Sequence, residues 1–175
     1  MDSAPDILIA GIGNIFFGDD AFGCKVAERL CECQWPAGVR VADFGIRGID
    51  LAYALTDGCE FAILIDAMPR GGNPGDLYVI EPTLDNTDAP ANAGGSLWDA
   101  HTMNPEKVLR LAESLGGEMA RVVVVGCEPA IADEDADVHA GLTPAVDSVI
   151  GTAAELVQSI LNDYLAERSA NYASA

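Results

Sequence analysis

Residues 7–33 read ILIAGIGNIFFGDDAFGCKVAERLCEC, and the reading of this stretch decides the fold. The run 7–11 is short and apolar, ends on glycine, and predicts a strand. A glycine-bearing loop, GIGNIFFGDD, follows and closes on two aspartates. From residue 21 to about 33, Phe22, Val26, Leu30 and Cys33 recur at spacings of three and four, the period of a helix with one buried face. Strand, loop and helix in this order form the first half of a βα unit.

The same alternation continues outward. Residues 39–44 (VRVADF) predict a second strand and 49–56 (IDLAYALT) a short helix. Residues 61–67 (FAILIDA) are continuously apolar and end in Asp66 and Ala67, as in a strand buried on both faces. Residues 76–80 (DLYVI) predict a fourth strand and 121–126 (RVVVVG) a fifth. Asn104-Pro105 supplies an N-cap and a first-position proline for a helix to about residue 115. Thr143-Pro144 starts another to about 165, with the tail 168–175 expected to fray. The stretch 82–95 is rich in Pro, Asn, Asp, Ala and Gly and is expected to be a mobile loop; 128–139 is acidic and irregular.

Strands alternating with helices predict a three-layer α/β/α sandwich with a five-stranded, mostly parallel sheet. The link 68–75 is too short to carry a crossover helix, so the fourth strand is expected to run antiparallel to the third. With no repeat, linker or compositional break, the 175 residues are expected to form a single domain, its core at about 6–166.

Charge narrows the function. Lys+Arg number 9 and Asp+Glu 28, giving a net charge of −19. A chain this acidic has no basic footprint for nucleic acid and is repelled by anionic lipid. Half of it is hydrophobic, which argues for a packed core rather than disorder. The start, MDSAPD, is no secretory signal, and no apolar run approaches the ~20 residues of a membrane span. The five cysteines are scattered without a CxxC pair, so a cytoplasmic protein with reduced thiols is expected.

Ligands of open parallel sheets sit beyond the carboxyl ends of the strands. Asp20 follows the first strand and its loop, Asp43 closes the second strand and Asp66 the third, so all three aspartates can share one rim. Unpaired carboxylates repel one another, and a cation would stabilise them. For Asp20 a role at the helix dipole is an equally good reading, and Asp19 reads as a cap. His101, ahead of the Asn104 cap, could complete a set of two carboxylates and one imidazole; such a set suits zinc, nickel or iron. His139 has a weaker case.

Rival readings are poorer. Gly11-Ile12-Gly13-Asn14 opens like a dinucleotide fingerprint, but Phe16 stands where the third glycine belongs and the aspartate pair opposes a phosphate. Cys31 and Cys33 on one helix do not face each other, and nothing lowers a thiol pKa near Cys127. Ser96 and Ser148 lack the GxSxG elbow.

The segment Gly11-Ile-Gly-Asn-Ile-Phe-Phe-Gly-Asp-Asp-Ala-Phe-Gly23 resembles the opening signature of the [NiFe]-hydrogenase maturation endopeptidases, G-x-G-N then D-[DE]-x-x-G. Three further landmarks follow in order: Ile63-Leu-Ile-Asp-Ala67, Val125-Gly-Cys-Glu-Pro129 and Gly141-Leu-Thr-Pro-Ala-Val146. The resemblance implies an endopeptidase that removes the C-terminal extension of the hydrogenase large-subunit precursor once nickel is inserted. It implies an α/β/α fold with one antiparallel edge strand. It also implies Asp20, Asp66 and His101 as the residues contacting the metal, with Asp43 as a further catalytic candidate. The nickel would arrive on the substrate, with zinc or cadmium as possible crystal surrogates, and the partner would be the precursor, gripped by a monomer. Many relatives read D-G-G-T-x-G after the second strand; this chain has Asp43-Phe-Gly-Ile-Arg-Gly48, where Arg47 could pair with Asp43 and keep it ionised. Hydrolysis driven by the metal or by an aspartate base are both open. The contending class is a non-catalytic nickel-centre assembly factor or metallochaperone.

Overall fold

In a computed structural model, residues 6–82, 104–116, 118, 120–130 and 141–173 are described. Five strands form one sheet in the order β2-β1-β3-β5-β4. The strands are β1 (Ile7–Ile12), β2 (Val39–Gly45), β3 (Phe61–Ala67), β4 (Leu77–Ile80) and β5 (Arg121–Cys127). The first three and β5 are parallel, and β4 pairs antiparallel with β5. The fourth strand therefore does reverse, but it pairs with β5 rather than with β3. The short link leaves no room for a crossover, yet β5 takes the central place next to β3.

Alternation along the strands builds two cores. Ile7, Ile9, Ile63, Ile65, Val123 and Val125 face α1 (Phe22–Cys31) and α5 (Ile150–Ala173). Leu8, Ala10, Leu64, Val122 and Val124 face α2 (Gly48–Thr56) and α3 (Pro105–Ser114). The result is the expected helix–sheet–helix sandwich. The predicted cap of α3 holds as well: the Asn104 side chain accepts from Lys107 N at 2.9 Å, with Pro105 in the first turn.

Helix α1 lies unusually close to the sheet. A Cβ added at Gly23 would stand 2.0 Å from Ile65 O and 2.2 Å from Ile12 O, and one at Gly11 would stand 2.3 Å from Gly23 O. Gly11 and Gly23, the first and last glycines of the opening signature, thus let helix and strands meet backbone to backbone. That contact draws the helix start, with its aspartates, onto the rim.

Two expectations are corrected here. The last helix is broken at Ser148-Val149 into a single turn, α4 (Pro144–Asp147), and α5. Nor does the tail fray from residue 168, since α5 continues to Ala173. Tyr164 stacks on Phe61 with ring centroids 4.1 Å apart, and Arg121–Glu167 and Arg168–Glu60 ion pairs follow it along the helix. Exposed pairs contribute little singly, but the stacked ring fixes the helix just before them. The expected loop at 82–95 lies, from residue 83 on, outside the described residues, as does 131–139 of the acidic stretch.

Candidate active site

The carboxyl rim is shaped first by a bulge. Gly11 pairs with Asp43 and Ile12 with Gly45, so Phe44 is an extra residue on β2. Bulges bend a strand and re-aim its side chains. Here Gly45 N donates to Asp43 Oδ1 at 2.9 Å, which fixes the Asp43 carboxylate on the exposed edge of the rim. Gly45 itself takes φ +54°, a conformation glycine adopts without strain.

The loop after β1 is equally tied. Phe17 N donates to Asn14 O at 3.1 Å, and Phe16 N to Asn14 Oδ1 at 3.1 Å. Asn14 N in turn donates to Asp20 Oδ2 at 2.6 Å. Asp20 therefore closes its own loop. Burial raises its pKa, and the Asn14 N–H offsets part of that rise.

Asp66 ends β3 and is 2% exposed. Among the described residues its Oδ1 is the buried side-chain oxygen left without a hydrogen-bond partner. Desolvation raises its pKa well above the carboxylate range, the nearby Asp20 charge raises it further, and the Ala67 N–H opposes both. An orphaned, desolvated acceptor beside a second carboxylate is stabilised by a proton or by a cation. Asp20 and Asp66 are thus brought within mutual electrostatic reach.

Asp43 joins them through Cys24. The Cys24 thiol is buried, donates to Gly13 O at 3.5 Å and lies close enough to the Asp43 carboxylate to feel it. Burial, then Asp43, then the charges of Asp20 and Asp66 push its pKa up to about 12. It remains a neutral thiol and is no nucleophile. The sequence reading passed over Cys24. Cys24 lies four residues after Asp20, at the start of α1, but spacing alone did not place it among the aspartates. Cys127, also buried, is likewise pushed up to about 12, by desolvation first and then by Asp19 and Glu128.

Asp19 does not cap its own helix. Its Oδ1 accepts from Thr143 N at 2.6 Å, and its Oδ2 from Ala130 N at 2.8 Å and Thr143 Oγ1 at 2.9 Å. This buried carboxylate sews the β1 loop to the end of β5 and the start of α4. The first acid of the pair is structural and the second faces the rim. Arg47 departs from expectation too. Its guanidinium donates to the carbonyls of Asp43 and Phe44 and approaches Asp50 at 3.8 Å. It orders the backbone around Asp43 rather than pairing with its carboxylate.

Glu128 serves the far side of the rim. It accepts from Arg70 N, Gly71 N and Tyr78 Oη at 2.8, 3.2 and 2.7 Å, holding the β3–β4 turn. The Tyr78 hydroxyl, chiefly, lowers its pKa. A carboxylate whose pKa falls on folding stabilises the protein above its unfolded pKa, and that contribution is lost as pH falls through the folded value. Glu128→Gln is therefore expected to lower the urea midpoint at pH 7, with the wild-type and variant midpoints converging as the pH is taken below 4.

His101 and His139 lie outside the described residues. Among those described, no three His, Cys, Asp or Glu side chains are set to hold a metal ion. No helix among them is long and apolar enough to cross a membrane.

The hydrogenase maturation protease family (HycI) matches the chain over residues 24–160. The chain belongs to this family. The hydrogenase expression/formation protein HupD of Rhodobacter capsulatus is 33% identical over 88% of this chain and 70% of its own length. A putative hydrogenase maturation protease of Methanocaldococcus jannaschii is 32% identical over 87% of this chain and 94% of its own. The hydrogenase maturating endopeptidase HybD of E. coli superposes with a TM-score of 0.67 at 26% identity, covering 90% of this chain and 93% of that one. Membership makes the chain a peptidase of hydrogenase maturation and sets aside the non-catalytic alternative. The rim just described is the carboxyl-end crevice of that maturation protease fold.

Proposed function

We propose that this maturation protease removes the C-terminal extension of a [NiFe]-hydrogenase large-subunit precursor after nickel insertion, engaging the precursor's nickel through Asp20, Asp66 and His101. The observation that supports this most is the unpartnered Asp66 Oδ1 beside Asp20, an acceptor pair without a positive partner among the described residues. Chain order supports the third donor. By alternation Asp66 falls on the sheet face covered by α3, and His101 precedes the α3 cap, Asn104, by three residues. Three residues span at most roughly 10 Å. Nickel is substrate here, so a precursor without it presents nothing for the acids to hold. Asp43, exposed and positioned by Gly45, is the carboxylate with access to water and acts as general base, taking the proton of the water that attacks the scissile carbonyl. Asp20 and Asp66 hold the metal-bearing end of the substrate against it. The enzyme works on the precursor as a monomer.

The test is intact-mass spectrometry of nickel-loaded precursor after incubation with the wild type and with His101→Ala. Wild type is expected to release the extension as one peptide, and His101→Ala to leave the precursor whole. Equal clipping by both removes His101 from the reading.

A further inference from the structure

Among the described residues, most of the exposed large apolar side chains lie on the loops that carry the rim acids or on the helix that follows them. Ile15, Phe16 and Phe17 are 51, 62 and 52% exposed. Ile46, just ahead of α2, is 44% exposed, and Ile49 and Tyr53, four residues apart on the outward face of α2, are 46 and 57% exposed. The two groups spring from backbones joined directly, since Gly13 N donates to Gly45 O at 3.1 Å. No core requires these side chains to point outward, and such contiguous exposure marks an interaction site.

We propose that this ledge seats the precursor polypeptide next to its scissile bond, and that the seated segment is apolar and not acidic. This rests on the proposed proteolytic reading. The occupant follows from position. The Ile15–Phe17 loop is closed by the Asp20 carboxylate through Asn14 N, and Ile46 follows Gly45, which is held by the Asp43 carboxylate. A polypeptide cut at those acids must run on past one or the other loop. The protein's charge of −19 repels an acidic segment, while Arg47, beside Ile46, is committed to the Asp43 and Phe44 carbonyls. What remains to recognise is apolar contact. The loop backbones are already fixed by hydrogen bonds, so little order is lost when a peptide settles on them. Exposed aromatic side chains on rigid loops are the residue types that dominate binding energy.

The experiment measures steady-state clipping of nickel-loaded precursor by the wild type, by Phe16→Ser/Phe17→Ser and by Ile46→Ser/Ile49→Ser. Leu115→Ser, an exposed apolar residue at the opposite rim, is the control. All replaced side chains are exposed, and circular dichroism with thermal melting verifies that each variant folds. Both double variants are expected to raise KM at least about tenfold while kcat changes less than about twofold, with Leu115→Ser unchanged. An unchanged KM in both, with wild type clipping normally, overturns the ledge while leaving the protease reading intact. If wild type clips nothing, the protease reading fails. The ledge is then judged by interferometry of precursor on immobilised protein, where equal affinity of wild type and variants overturns it. Light scattering covers the remaining occupant: a wild-type dimer that becomes monomeric in the variants, without a change in KM, assigns the ledge to a second copy and overturns the proposal.

Discussion

Asp66→Asn is expected to cut processing of nickel-loaded precursor by about a thousandfold or more, because it removes the carboxylate on which the proposed metal engagement depends while keeping the side chain's shape. The same change is not expected to weaken the fold. Folding raises the Asp66 pKa, so ionised Asp66 works against the folded state at every pH above its unfolded value. Asparagine carries no such charge. The variant's melting midpoint at pH 7 is therefore expected at or above that of wild type. Any advantage should vanish as the pH falls below about 4, where the aspartate is protonated in both states. A clipping assay and a pH series of melts check both halves. A variant that clips normally, or one that loses activity only because it unfolds, contradicts this account of Asp66.

Gly23→Ala is expected to be strongly destabilising, although it adds a single methyl. The added Cβ would lie 2.0 Å from Ile65 O and 2.2 Å from Ile12 O, and both are strand backbone that cannot rotate away. To accept it, α1 must lift from β1 and β3 along its first turn. Overpacking of this kind costs about 3 kcal/mol or more. Urea denaturation should show the midpoint falling steeply, and activity should fall with it because Asp20 travels with the helix start. Full stability in Gly23→Ala would mean that helix and sheet are not in backbone contact.

The strands were legible because burial on both faces demands continuous apolar runs. FAILIDA and RVVVV allow little else, and Asn104-Pro105 announces a helix start by its own chemistry. The rim position of Asp20, Asp43 and Asp66 followed from the same reasoning, since strand ends in a parallel sheet share one edge. What stayed hidden depends on long-range partners. Asp19 looks like a local cap, yet its hydrogen bonds reach 111 and 124 residues along the chain. The bulge at Phe44 leaves no mark in a pattern of alternating residues. The β4–β5 pairing is a choice between neighbours that a short link cannot specify. The helical end of α5 relies on the Phe61 ring and the Glu60 and Arg121 side chains, none of them near it in sequence. Cys24 was visible only as a spacing, and its place among three aspartates needed the packing of α1 to reveal it.

The central claim is that nickel on the substrate completes a site that the described residues leave short of positive charge. Intact-mass spectrometry of one precursor, prepared with and without nickel and incubated with this protein, tests it most directly. Loss of the C-terminal extension from the loaded form alone is the predicted result. Equal cleavage of both forms, or of neither, would contradict it.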